Sequence, residues 1–169
     1  MRAFEICPVP IGTRVFKLTD AAMQTHKTFP WELDTWVVVP GVNPGSGPLC
    51  TDRWLHAYAD PDLAILLNPI HAGIAAPRLF EADAAGIWRS DGLKIGVSNL
   101  RLVRELPVPI FTSYERAVWA IYVVLSLPTR IPIPIWDSWA IHYLDGSNRT
   151  QAAEEAVAAA ARAAAAAAE

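Results

Sequence analysis

The stretch from Arg53 to Leu106 constrains the fold more than any other part of the chain. It reads RWLHAYADPDLAILLNPIHAGIAAPRLFEADAAGIWRSDGLKIGVSNLRLVREL. Asp60 is a good helix N-cap, and Pro61 suits the first helical position because its missing N–H would have no partner there anyway. Leu63, Leu66 and Leu67 follow at spacings that face a core. The pattern predicts a helix over 61–68, ended by Asn68-Pro69. Strand-like runs flank it at 54–58, 78–84, 93–97 and 100–106, and Asp91-Gly92 is a strong turn dipeptide between them. In the 54–58 run, Trp54, His56 and Tyr58 share one face. In the 78–84 run, Leu79, Glu81 and Asp83 share one face and Phe80, Ala82 and Ala84 the other.

The preceding residues are more broken. Residues 2–7 alternate as a strand, and Pro8 and Pro10 are expected to end it, since proline cannot donate to a ladder. Residues 14–18 make a second short strand. Residues 19–28 are polar and fit either a short helix or a loop. Residues 36–39 (WVVV) form the clearest early strand. Residues 40–48 (PGVNPGSGP) are a loop, and they lack the glycine spacing of a phosphate-binding motif.

After Pro107 and Pro109 the chain turns helical. Thr112-Ser113-Tyr114-Glu115 matches a capping box, hydroxyl first and carboxylate three residues later. The helix is expected to run to about Leu127 and, being apolar nearly all round, to be buried on more than one side. Residues 128–134 are a stiff linker. A second helix spans 136–144, with Trp136, Trp139, Ala140 and Tyr143 on one stripe and Asp145-Gly146 at its end. A long alanine helix closes the chain, because alanine has the highest helix propensity. Strands first and helices last predict an α+β fold: a twisted, mostly antiparallel sheet from residues 2–7, 14–18, 36–39, 54–58, 78–84 and 93–106, with a short inserted helix and C-terminal helices. The expected organisation is one domain over 1–148 and an Ala-rich helical tail over 149–169.

Composition excludes some function classes. The 169 residues carry a formal net charge of −3, and Lys17, Lys27 and Lys94 are the only lysines. A nucleic-acid binder usually shows a basic stripe and a high pI; the pI here is about 5.8. No apolar run approaches the roughly 18–20 residues of a membrane span, and the N-terminus lacks the pattern of a secretory signal. A cytoplasmic protein without a membrane partner is expected. Cys7 and Cys50 fit no paired spacing and read as buried thiols.

His26, His56, His71 and His142 show no HxxxH or CxxC partner, so no metal site is expected. The candidate catalytic residues are His56, Tyr58, Glu81 and Asp83. If their two strands are neighbours, a histidine or tyrosine faces a carboxylate, a pairing suited to acid–base work or to orienting a ligand. The competing reading packs His56 and Tyr58 into the core and leaves Glu81 and Asp83 on a solvated face. Seven tryptophans suit core filling or a partner-binding surface.

Four pieces, WLHAYADPDLAILLNPIHA, PRLFEADAAG, DGLKIGVSNLRLVREL and SWAIHYLDGSNRTQAAEEA, resemble an uncharacterised domain family of bacterial and phage proteins over roughly residues 50–160. That resemblance implies a phage accessory role, such as interference with a host enzyme or defence system. LHAYADPDLAILLN followed by RLFEADAAG is also similar in order to the ADP-ribosyltransferase fold, which implies NAD as cofactor with His56, Tyr58 and Glu81 in the cleft. RAFEIC lacks that fold's first-strand histidine and glycine, and Glu81-Ala82-Asp83 lacks the preceding serine motif. The expected function is therefore a non-catalytic binding protein that contacts a host protein or small ligand and needs no cofactor. The alternatives are an NAD-using transferase and a structural protein that oligomerises through the alanine helix.

Overall fold

In chain order the elements are β1 (Cys7–Thr19), β2 (Gln24–Thr25), β3 (Phe29–Pro30), β4 (Trp36–Val38), β5 (Leu55–Ala57), α1 (Pro61–His71), β6 (Arg78–Ser90), β7 (Ile95–Leu106), α2 (Ser113–Ser126) and α3 (Pro134–Asp145). They come from a computed structural model, which describes residues 7–25, 28–39, 47–126 and 132–150. The fold is α+β with antiparallel sheets. The chain divides into two compact units, Met1–Ile110 and Phe111–Glu169. Residues 2–6 of the strand expected over 2–7, and residues 151–169 of the tail expected over 149–169, lie outside the described residues.

The first unit is built on the β6–β7 hairpin. The Asp91 carboxylate accepts from the N–H groups of Leu93 (2.9 Å) and Lys94 (2.8 Å), and Gly92 takes a left-handed φ of 89°. β1 pairs with the outer edge of β6, and β4 and β5 pair one after the other along the far edge of β7, all antiparallel. The sheet then closes on itself. Tyr58, just past β5, exchanges two backbone hydrogen bonds of 2.8 Å with Phe16 of β1. β1, β6, β7 and β5 thus form a ring.

Alternation fixes what fills it. Val15, Leu55, Ala57, Phe80, Ala82, Ala84, Ile95, Val97, Leu100 and Leu102 form one buried cluster with Trp31 and Val39. The expected inward set of Phe80, Ala82 and Ala84 is there. β1 differs from expectation: it is one strand from Cys7 to Thr19, not two strands broken at the prolines. Pro8 pairs with Ile87 of β6, so the proline does not end the strand there. The break lies instead in the register between Val9 and Thr13, where Gly12 has a φ of 86°. Residues 20–23 are a turn leading from β1 into β2, which pairs with β3, with the Asp20 carboxylate accepting from Ala22 and Gln24 N–H groups.

α1 starts as expected, with the Asp60 side chain accepting from the N–H groups of Asp62 and Leu63. It does not stop at Asn68. Pro69 lies inside the helix, which runs on to His71. Asn68 holds the far end: its carbonyl accepts from Ala72 and Gly73, and its amide group exchanges hydrogen bonds with the Ile74 backbone.

In the second unit, the capping box forms as read. The Glu115 N–H donates to the Thr112 hydroxyl, and the Glu115 carboxylate accepts from the Thr112 N–H at 2.8 Å. α2 is less buried than its apolar sequence predicts: among its described side chains only Ile121 is fully buried, and Tyr122 is exposed. The cause is a small core of Ile121, Ala140 and Tyr143, with Trp136 and Trp139 partly buried against it. α3 ends at Gly146, whose φ of 84° suits the left-handed cap.

The backbone of β7 at Gly96 carries the side chain of Trp54. A Cβ built there would lie 2.6 Å from Leu49 Cδ2 and 2.9 Å from Trp54 Cβ. Gly96→Ala is expected to cost about 1–3 kcal/mol, the usual range for overpacking. Urea unfolding checks it; an unchanged midpoint would mean that Trp54 and Leu49 give way freely.

Candidate functional site

Leu55 and Ala57 point into the ring, so Trp54, His56 and Tyr58 point outward together, as alternation predicts. They are covered rather than solvated: Trp54 and Tyr58 are buried and His56 is half-buried. His56 Nε2 donates to the Leu49 carbonyl. Burial pushes the His56 imidazole below its ordinary range; the Leu49 bond opposes this, and Lys17, Lys94 and His71 reinforce it. Burial, with the Asp91 carboxylate adding, pushes the Tyr58 hydroxyl up to about 12.

The extra turn of α1 brings in His71, which lies beyond the helix expected over 61–68. The His71 ring stacks on Tyr58, with centroids 6.2 Å apart and planes 12° apart. Its Nδ1 is buried with no hydrogen-bond partner among the described residues, and burial pushes this imidazole down as well. Lys94, on the hairpin turn, donates to the Sγ of Cys50 at 2.9 Å. Cys50 is exposed, contrary to expectation; it lies in the loop that precedes β5. Cys7 has no described side chain. His56, Tyr58, His71, Asp91 and Lys94 thus lie within electrostatic reach of one another. In the sequence Asp91 reads as a turn residue and Lys94 as part of the strand expected over 93–97.

Glu81 and Asp83 belong to a different constellation. Phe16 pairs with Tyr58 on one side and with Glu81 on the other. β1 therefore stands between Tyr58 and Glu81, two strand spacings or roughly 10 Å apart. The structure brings His56 and Tyr58 together, and Glu81 and Asp83 together, but the two pairs do not adjoin. Glu81 Oε1 is 3.0 Å from Arg14 Nε, and its Oε2 accepts from Arg104 Nη2 at 2.6 Å and Nε at 3.0 Å. Asp83 accepts from Arg101 at 2.6 Å, and the Arg101 guanidinium lies 5.3 Å from the Trp36 ring centroid. The register sets this row across four strands: Arg14, Asp83, Arg101, Trp36. Both carboxylates serve as counter-ions to guanidinium groups, which leaves little for general-base work.

One ionisable group escaped sequence reasoning altogether. Lys17 follows Val15 on the inward face of β1 and pairs with Phe80. It is only 7% exposed. Its ammonium donates to the His56 carbonyl at 2.6 Å, across the seam between β1 and β5, and lies 5.0 Å from the Trp31 ring centroid. No carboxylate pairs with it among the described residues. Burial pushes its amine down from 10.5 to about 8. The available signal was its parity with Val15 within the strand expected over 14–18.

Among the described residues no group of three or more His, Cys, Asp or Glu side chains is placed to hold a metal, and no helix is long and apolar enough to cross a membrane. No family model, curated protein or solved structure matches the chain.

The Lys17 shift couples stability to pH. The folded value lies below the unfolded one, so between about pH 8 and 10 the unfolded chain binds more protons and stability rises with pH. Lowering this amine from 10.5 to about 8 corresponds to about 3 kcal/mol in full. Tyr58 works the other way above pH 10, because its folded value is the higher one. Urea midpoints measured from pH 7 to 10 are expected to climb by the equivalent of about 2 kcal/mol from this group, and Lys17→Met should flatten that climb. A variant that keeps the full slope would assign it to another residue.

Proposed function

We propose that the chain is a non-catalytic binding protein, and that it engages an acidic segment of a partner protein through the outer face of its ring. The observation that carries this reading is the layering of charge beside β4. The Arg14 and Arg104 side chains are 69% and 65% exposed, whereas the Glu81 carboxylate beneath them is 13% exposed. The face therefore offers guanidinium groups to solvent and keeps its acids covered, although the chain as a whole is acidic. Beside them Leu33, Trp36 and Val38 are exposed apolar side chains, and Arg101 stacks on Trp36. Tryptophan and arginine are the residues that most often dominate binding energy at interfaces. Accessible cations favour an acidic partner and speed its encounter at low salt.

This reading fits the phage-encoded accessory role implied by the family resemblance, with a host protein as the partner. The transferase reading needs His56 or Tyr58 to share a cleft with Glu81. The intervening strand and the two arginines on Glu81 support the binding reading over it.

The test is affinity capture of proteins from a bacterial host lysate, identified by mass spectrometry. A captured protein should be lost when Trp36→Ala is combined with Arg104→Glu, and should weaken as salt rises from 50 to 300 mM. Tyr122→Ala, an exposed position of the second unit, should leave it bound. Capture that survives the face variant, or a captured species that is nucleic acid, would sink the proposal.

A further inference from the structure

The exposed thiol of Cys50 does not stand alone. The side-chain nitrogen of Lys94 reaches its Sγ at 2.9 Å. The two residues lie 44 apart in sequence and come from different segments, the loop before β5 and the turn between β6 and β7. Sulfur is a weak acceptor, so a lysine gains little from such a partner. Among the described residues Lys94 nevertheless pairs with no carboxylate. Asp91, three residues away, is committed to the Leu93 and Lys94 N–H groups. Backbone contacts hold both ends of the pair. The Lys94 carbonyl accepts from the Asp91 N–H at 3.3 Å and from the Ser90 hydroxyl at 3.2 Å. On the other side, Leu49 is buried over Gly96 of β7 and its carbonyl accepts from His56, while the Thr51 hydroxyl donates to the Pro48 carbonyl at 2.8 Å. The residues flanking Cys50 are thus anchored, and the sulfur stays beside the amine. An exposed thiol is open to oxidation, and its first product, the sulfenic acid, condenses with a nearby nitrogen.

We propose that Cys50 and Lys94 form a redox clasp, in which a hydroperoxide causes the sulfur of one to bond to the side-chain nitrogen of the other. The Cys50 sulfur attacks one oxygen of hydrogen peroxide. The O–O bond breaks, the peroxide is reduced to water and the sulfur is oxidised to the sulfenic acid. The Lys94 Nζ, its extra proton released to solvent, then attacks that sulfur. The S–O bond breaks, the departing hydroxide takes a proton from the nitrogen as a second water, and an S–N bond remains. One thiol, one neutral amine and one peroxide therefore give one sulfenamide and two waters. A dithiol reverses the step: it attacks the Cys50 sulfur, returns the amine of Lys94 and then frees the thiol as it closes its own disulfide. Closed, the clasp ties the loop that carries the Leu49 carbonyl to the hairpin turn. It lies apart from the arginine face and does not depend on the function assigned to that face.

The folded full chain is treated with hydrogen peroxide, digested with trypsin without reductant and mapped by mass. A joined species should appear that links the peptide holding Cys50 to the one holding Lys94, lighter than their sum by the two lost hydrogens, about 2 Da, and uncut after Lys94. It should disappear on addition of dithiothreitol. Because the fold holds the two groups together, the folded protein should give at least about tenfold more joined species than the chain oxidised in urea. Cys50→Ser and Lys94→Arg should each abolish it, the second because a guanidinium is a poor nucleophile at sulfur. Cys7→Ser should keep it, which separates the clasp from a disulfide between the two cysteines of the chain. Oxidation of Cys50 to sulfinic or sulfonic acid or to a disulfide with no joined species, or a joined species that forms equally in urea, overturns the proposal.

Discussion

The exchange of two backbone hydrogen bonds between Phe16 and Tyr58 is the contact on which the first unit depends. Without it β1 and β5 would be two unpaired edges, each with free N–H and C=O groups open to other chains. With it the sheet becomes a ring, and a ring has an inside. Small residues at Ala57, Ala82 and Ala84 line that inside together with larger ones from β6 and β7. Lys17 completes the seam by giving the His56 carbonyl a donor where the strands part. An unmet buried carbonyl is costly, so a charged group inside an apolar ring is tolerated there because it serves the backbone.

Strand parity then sorts the chemistry. Residues three apart on β1 have opposite fates: Arg14 lies outside with Glu81, and Lys17 inside with Phe80. On β6, Glu81 and Asp83 face out and Phe80, Ala82 and Ala84 face in. The outer face gathers arginines over covered acids beside Trp36. The inner face isolates one amine among apolar side chains.

Much of this was legible in the sequence. The Asp91-Gly92 turn, the Asp60 cap, the alternation at 78–84 and the Thr112/Glu115 box are local signals, and each formed as read. What failed was non-local. Pro8 and Pro10 look like strand breakers until the one-sided pairing of that part of β1 with β6 is known. Pro69 looks like a helix end until Asn68 is seen to hold the turn beyond it, and with that turn came His71. The same blindness left open whether His56 and Tyr58 stand beside Glu81. Neither run reveals that β1, the strand farthest from them in sequence, lies between them.

The seam also bears on the order in which the unit assembles. The β6–β7 hairpin joins strands that are neighbours in sequence, whereas Lys17 and His56 stand 39 residues apart. Contacts between distant residues must overcome the entropy of closing the loop between them before they stabilise anything. The hairpin is the natural template and β1 docks along it, which leaves the seam as the last element to close. Until it does, the amine of Lys17 is hydrated and charged, so the unusual character of this group is acquired in the final step of folding and lost in the first step of unfolding.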